Sequence, residues 1–398
     1  MNALDGIRLL ELTHMVSGPY AGMILADLGA ETIKVEPPGQ GDMTRPLMTD
    51  DPALNIADMG PYFLSLNRNK KSVTLNLKSE AGRELFYELV RESDIVLNNY
   101  RAGVVSRLQI DHDRLANINP RIVTCSITGF GETGPDHDQP SYDMVAQAMS
   151  GVMSITGPRE GPPTRVGFPV SDMSGSVMSV AGVLAALVAR QTTGRGQHVD
   201  IALLDAQIST LNYMATISLM SGKALPRMGS AHAIHVPYDV YACQDGHIIL
   251  GVVTDAFWLK LTEVLDLDEI DHPANQLREG RIKNRQKIDA KLGEIFRSRR
   301  KEHWLERLRA AGIPCGPVHD LKAAFAEPQV QARGMVVALE GPEGQPLLIP
   351  GNPIKLSETP GQTFRFAPQL GEHNQEVFGG LLGKSQSALD ELRTAGVI

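Results

Sequence analysis

Cysteine is scarce in this chain: Cys125, Cys243 and Cys315 are the only three in 398 residues, and no two stand in a Cys-x-x-Cys pair. That fits neither a disulfide framework nor a zinc site, and a reducing, cytoplasmic setting is expected. Positive charge is in deficit too. There are 38 Lys and Arg against 46 Asp and Glu, a formal charge of -8, which argues against a nucleic-acid binder but lets a few placed cations hold a polyanionic ligand. Long apolar runs are missing: the best, 176–189, is broken by Ser179 and Gly182 and reads as a buried helix, so no membrane is implied. Residues 1–11 show neither the basic nor the apolar region of a secretory signal.

What is present is an ordinary globular composition, 42% hydrophobic and 21% charged, on a chain long enough for two lobes. Residues 7–12 read as a buried strand, Gly18-Pro19 opens a helix reaching about 28, and 32–36 is a second strand, together a βαβ unit. Strands at 72–77, 95–98 and 121–127, with a helix at 80–91, continue the rhythm and predict a parallel α/β sheet. Residues 172–220 read as mainly helical. A segment rich in Gly, His and Pro, 223–237, marks a boundary or active-site loop, followed by strands 236–243 and 247–252 and charged helices through 255–311. The expected division is a large α/β domain at 1–222, a small α+β domain at 223–335 and a Pro- and Gly-rich segment, 336–398, returning to the large domain.

Two nucleotide-like motifs do not hold. Gly129-Phe130-Gly131-Glu132-Thr133-Gly134 matches GxGxxG after a strand, but Pro135 follows where a phosphate-binding helix should begin. Gly383-Lys384-Ser385 resembles a P-loop end, yet Phe378 occupies the first glycine's place. No HExxH, GxSxG or ligand-spaced cluster of His, Asp and Cys is found, so no metal is expected.

The segment from Arg165 to Gly175 is more informative, because it places Asp172 at the start of a long apolar helix. An acid there is commonly a helix cap. The same position, among Ser171, Ser174 and Gly175, also suits an accessible carboxylate nucleophile toward a thioester.

Motifs in order along almost the whole chain resemble the class III CoA-transferases, the formyl-CoA transferase and carnitine CoA-transferase type. They include Leu28-Gly29-Ala30-Glu31-Thr32-Ile33-Lys34-Val35-Glu36, Asn67-Arg68-Asn69-Lys70-Lys71-Ser72, Tyr142-Asp143-Met144-Val145, the Asp172 segment and Gly312-Ile313-Pro314-Cys315-Gly316-Pro317. The resemblance implies a Rossmann-like large domain, an interlocked homodimer, and Asp172 as a nucleophile passing through an aspartyl anhydride and an aspartyl-CoA thioester. It implies a CoA thioester as substrate and no tightly bound cofactor. By position it assigns CoA contacts to Val16, Ser17, Leu75, Asn76, Leu77, Lys78, Asn99, Tyr100, Arg101, Arg107 and the segment Pro140 to Asp143, which includes Ser141, Tyr142 and Asp143, with Lys78, Arg101 and Arg107 suited to the phosphates. Pro37 departs from the family, where some relatives carry a basic residue.

The related racemases use a His-Asp pair where this chain has Tyr142-Asp143, and tyrosine is a poor base at neutral pH. A CoA-binding module without catalysis is the third reading. Gly229-Ser230-Ala231-His232-Ala233-Ile234-His235 replaces the glycine-rich loop of formyl-CoA transferases, which sets oxalate and formate aside. The chain resembles more the branch taking dicarboxylates from succinyl-CoA, and a C4 to C6 dicarboxylate of the itaconate, glutarate, malate or citramalate type is expected, itaconate first. Arg45, Arg165 and His232 are candidates for its second carboxylate. Each also has a plainer reading: a CoA contact, an ion pair and a loop histidine respectively.

Overall fold

The computed structural model describes residues 1–267, 270–361 and 363–398. The chain forms two compact units: Met1–Val152, Val166–Lys223 and Gln329–Ile398 in the first, Met153–Arg165 and Ala224–Pro328 in the second. This differs from the expected boundaries at 153–165, which cluster with the second unit. The cause is Arg227, whose guanidinium binds the carbonyls of Ser154, Pro158 and Gly161. The return to the first unit also begins before residue 336, at Gln329.

The first unit is built on six parallel strands, β1 (Arg8–Leu12), β2 (Glu31–Glu36), β3 (Lys70–Thr74), β4 (Ile95–Asn98), β5 (Val123–Thr128) and β6 (His198–Ala202), in the order 3-2-1-4-5-6. Its inner strands carry apolar runs because helices cover both faces. One face buries Leu10, Leu12, Ile33, Val73 and Val96 beneath the helix Glu80–Arg91, and the chain's last residues, Val397 and Ile398, close this core. The other buries Leu9, Leu97, Val123 and Ile127 beneath the helices Ser17–Asp27 and Val170–Thr193. Strand order reverses between β1 and β4, so the loops leaving their carboxyl ends diverge and open a crevice there.

β6 lies inside the region read as mainly helical, and corrects that reading. It is an edge strand, with Val199 and Ile201 packed on the core and His198 and Asp200 turned to Glu132. That alternation is the period of a half-covered strand, without the apolar run of the inner ones.

The helix Val170–Thr193 is long and apolar enough, by length and composition, to cross a membrane. Its buried residues, among them Gly175, Ser179, Val183, Ala186 and Arg190, fall at helical spacing and pack within the unit. Gly175 is required by close approach: a Cβ there would lie 2.6 Å from Leu203 Cδ2.

In the second unit β7 (Tyr238–Cys243), β8 (Gly246–Gly251) and β9 (Cys315–Pro317) form an antiparallel sheet. It packs with helices over a core containing Trp258, Phe296 and Trp304.

Candidate active site

At the switch point the two diverging loops are tied to each other. Asn99, just after β4, accepts the backbone N–H of His14 at 3.0 Å and donates to the His14 carbonyl at 2.7 Å. The loop from Thr13 to Pro19 is also held from below by two buried ammonium groups. Lys34 donates to the Thr13 carbonyl at 2.8 Å and Lys70 to the Pro19 carbonyl at 2.9 Å. Met15 takes a left-handed conformation, φ 64°, in this fixed loop. Burial holds the His14 ring below its usual pKa, against the pull of Asp42, so it is neutral near pH 7.

Above this floor lies a cavity of about 370 Å³, lined by Ser17, Asn99, Tyr100, Arg101, Tyr142 and Asp172 among others. Ser17 begins the helix Ser17–Asp27, where unpaired backbone N–H groups suit an anionic or carbonyl oxygen. A larger cavity of about 730 Å³ sits at the amino ends of β2 and β3. Its lining, including Asn69, Lys71 and Arg365, offers no nucleophile beside a helix start.

Asp172 stands in the first turn of the helix Val170–Thr193 but does not cap it. Pro169 holds the cap position and contributes no side-chain bond. The cap comes instead from Asp143, whose Oδ1 accepts the N–H of Ser171 at 2.8 Å and of Asp172 at 3.3 Å. Its Oδ2 accepts from Gln147 Nε2 at 2.7 Å, and Gln147 Oε1 takes the N–H of Val166 at 2.9 Å. The Ser176 hydroxyl lies 2.6 Å from both the Asp172 and Ser17 carbonyls, locking the two helix starts together.

The Asp172 carboxyl has no hydrogen-bond donor among the described residues. Burial first, and the Asp143 charge second, push it up to about 7. It is therefore a carboxylate poised between its two protonation states at neutral pH, facing a cavity.

The cavity gathers Ser17, Asn99, Tyr100, Arg101, Tyr142 and Asp172 from the residues singled out in the sequence, with Val16 at the cap position of the helix Ser17–Asp27. Leu75 and Leu77 are buried in the core, while Lys78 and Arg107 are exposed. Asn76 accepts from the Lys78 N–H, and its own N–H binds the Val397 carbonyl. None of these five lines the cavity. Asp143 serves the helix start.

Arg45 is a correction. Its guanidinium is buried, 2.6 and 2.8 Å from the two Glu36 oxygens, bonded to the Pro368 carbonyl and stacked 3.8 Å from the Phe63 ring centroid. It is consumed as a structural ion pair and has no face left for a substrate carboxylate. Arg165, exposed, and His232 belong to the second unit. His232 Nδ1 accepts the N–H groups of Ile234 and His235, so Nε2 carries the proton of the neutral ring. Burial first, then His235 and Arg285, lower its pKa.

Ser141, from the segment assigned to CoA, also lines the cavity, as do His14, His137 and Gln139, which the sequence reading missed. They sit in loops without regular spacing, and only their nearness to the carboxyl ends of β1 and β5 could have flagged them.

The chain matches the model of CoA-transferase family III over residues 4–374. It is 36% identical over 396 residues to the human succinyl-CoA:glutarate CoA-transferase, covering 99% of this chain and 90% of that protein. It is 39% identical to the acetyl-CoA:oxalate CoA-transferase of Acetobacter aceti, covering 92% and 93%. The crystal structure of a CAIB/BAIF family protein from Brucella suis superposes with a TM-score of 0.84 at 34% identity, covering 96% of this chain and all of that one. Fold and sequence agree, and the chain belongs to CoA-transferase family III.

Proposed function

We propose that this chain transfers coenzyme A from an acyl-CoA donor, succinyl-CoA by preference, to a dicarboxylic acid, with Asp172 as the nucleophile. The observation that carries the proposal is the Asp172 carboxylate itself, partly buried, without a donor among the described residues, and facing the cavity at the switch point. A carboxyl raised to about 7 is more basic than an exposed aspartate, hence a better nucleophile, and still ionises in neutral solution.

In the proposed sequence an Asp172 carboxylate oxygen attacks the donor thioester carbonyl, the C–S bond breaks, and CoA thiolate leaves an aspartyl acyl anhydride. The thiolate attacks the aspartyl carbonyl and the donor acid departs as a carboxylate. The acceptor carboxylate then attacks this aspartyl-CoA thioester, and the released thiolate takes the acceptor acyl group from the new anhydride. Asp172 is regenerated, no net proton is consumed, and the thioester bond energy is conserved.

Glutarate and oxalate, named for two relatives, are both dicarboxylates and support that acceptor class. The similarity to an oxalate transferase returns oxalate to the candidates that the 229–235 loop had set aside, beside itaconate and the other C4 to C6 acids. Exposed Val177, Val188, Leu219 and Met220 on the first unit support a second copy of the chain as their cover, in an interlocked homodimer. A stable monomer in sedimentation overturns that part.

The test mixes protein and succinyl-CoA with single acids and identifies new CoA esters by mass spectrometry. A new ester, absent with Asp172→Ala, is expected. No exchange with any acid overturns the transfer reading and favours the racemase chemistry of the related enzymes.

A further inference from the structure

We propose that Asp143 is a positioning residue for the transfer step: it takes the backbone N–H groups of Ser171 and Asp172, fixing where the Asp172 carboxylate stands and denying it the donors of its own helix. The inference rests on Asp172 being the nucleophile.

A helix start exposes four unpaired N–H groups, and an acid in the first turn ordinarily folds back onto them or gains from the dipole. Either would stabilise the carboxylate and blunt it. Here Pro169 cannot compete for those donors with a side chain, and Asp143, on the separate helix Asp143–Met149, occupies two of them. The hold is itself braced. Asp143 Oδ2 is bound by the buried Gln147, which also takes the Val166 N–H, so both ends of 166–172 hang from one short helix. Ser171 Oγ is fixed on Gln207 Oε1 at 2.8 Å, leaving the turn no freedom to re-aim. Tyr142 lines the cavity while its neighbour Asp143 does not, which separates the cap from the CoA contact expected at this position.

The other titratable groups near Asp172 are accounted for. His14, Tyr100, Arg101, His137 and Tyr142 share its cavity. On the packed elements, Asp205 is exposed, Asp200 binds the Glu132 N–H, His198 pairs with Glu132, Cys125 is buried, and Asp27 is paired with Arg68. Among the described residues, Asp143 supplies the charge that bears on the Asp172 carboxyl, after burial.

The experiment measures kcat and KM for the donor acyl-CoA between pH 5 and 9 in wild type, Asp143→Asn and Asp143→Ala, with Asp172→Asn alongside and circular dichroism to verify folding. Asp143→Asn keeps an acceptor oxygen for the two N–H groups but removes the charge. Its acid limb is expected to move down by about one unit, raising the rate at pH 6 relative to its own plateau about fivefold. Asp143→Ala also loses the acceptor, and its plateau is expected to fall by a further factor of about ten, with little change in KM. An unmoved limb with a raised KM for the acyl-CoA overturns the proposal in favour of a direct CoA contact. Equal plateau losses in both variants without a shifted limb overturn it in favour of a merely structural cap. Transfer surviving in Asp172→Asn removes the nucleophile and this proposal together. An inactive Asp172→Asn beside an unshifted Asp143→Asn sinks the positioning role alone.

Discussion

Lys34 Nζ lies 3.1 Å from Glu11 Oε1 with both side chains wholly buried, and the same ammonium holds the Thr13 carbonyl, next to the cavity residue His14. Asp42 at 3.0 Å from Lys34 and Lys70 at 2.8 Å from Glu11 extend it into a four-charge network across β1, β2 and β3. Coulombic attraction to Glu11 and Asp42 outweighs burial at Lys34, whose pKa is raised, whereas burial wins at Lys70, which falls to about 8.

Removing one partner strands the others. Lys34→Met is expected to cost about 3–5 kcal/mol, read from the midpoint of urea unfolding, because Glu11 and Asp42 remain buried without it. Adding Glu11→Gln to that variant should recover part of the loss. Equal stability of wild type and Lys34→Met would show that the network is solvated.

Asp172 carries the opposite liability. Its folded pKa, about 7, exceeds the ordinary 3.8, so the folded state binds more protons than the unfolded one between those values. Its stabilising contribution is full below pH 3.8 and is lost as pH rises through 7. Asp172→Asn should abolish transfer while stabilising the protein at pH 8 by about 2 kcal/mol after solvent screening, and should change little at pH 4. Thermal melts at the two pH values decide it, and a gain equal at both would refute the linkage.

The parts legible in the sequence were those set by local rules. The helix Glu80–Arg91 announces itself through Ser79, which caps the Gly82 N–H, and through its apolar spacing. β4 shows as a buried apolar run. β6 did not, since an edge strand alternates polar and apolar residues inside a region dominated by helices. The position of Asp172 at a helix start was legible, but its capping partner stands 29 residues earlier, and no local pattern links the two. Arg45 misled for the same reason: a lone arginine looks available until its carboxylate nine residues before it is seen on the neighbouring strand.

Arg45 yields its own test. Arg45→Ala leaves Glu36 buried with one remaining hydroxyl donor, Ser72, and the Asp42 N–H, and a loss of about 3–4 kcal/mol is expected. Among molecules that fold, the ratio of kcat/KM between a dicarboxylate and a monocarboxylate should stay as in wild type. A selective collapse of the dicarboxylate rate would place Arg45 in the substrate site after all.

Gly22→Ala sets two effects against each other in the helix Ser17–Asp27. Replacing a helical glycine by alanine ordinarily stabilises by about 1 kcal/mol. Here the new Cβ would fall 1.9 Å from Glu11 Oε2, and Glu11 cannot retreat because Lys34, Lys70 and Thr13 hold it. Overpacking of this kind costs about 1–3 kcal/mol, and with the charge network strained as well the sign should reverse to a net loss. The helix must then lift at the end that carries Ser17, so the transfer rate should fall along with the unfolding midpoint. Gly380→Ala, inside the helical segment Gln375–Leu381 where a Cβ meets nothing within 4 Å, is the control expected to keep full activity and to show the ordinary gain of about 1 kcal/mol. A stabilised Gly22→Ala protein with full activity would mean that the helix is free to slide over Glu11.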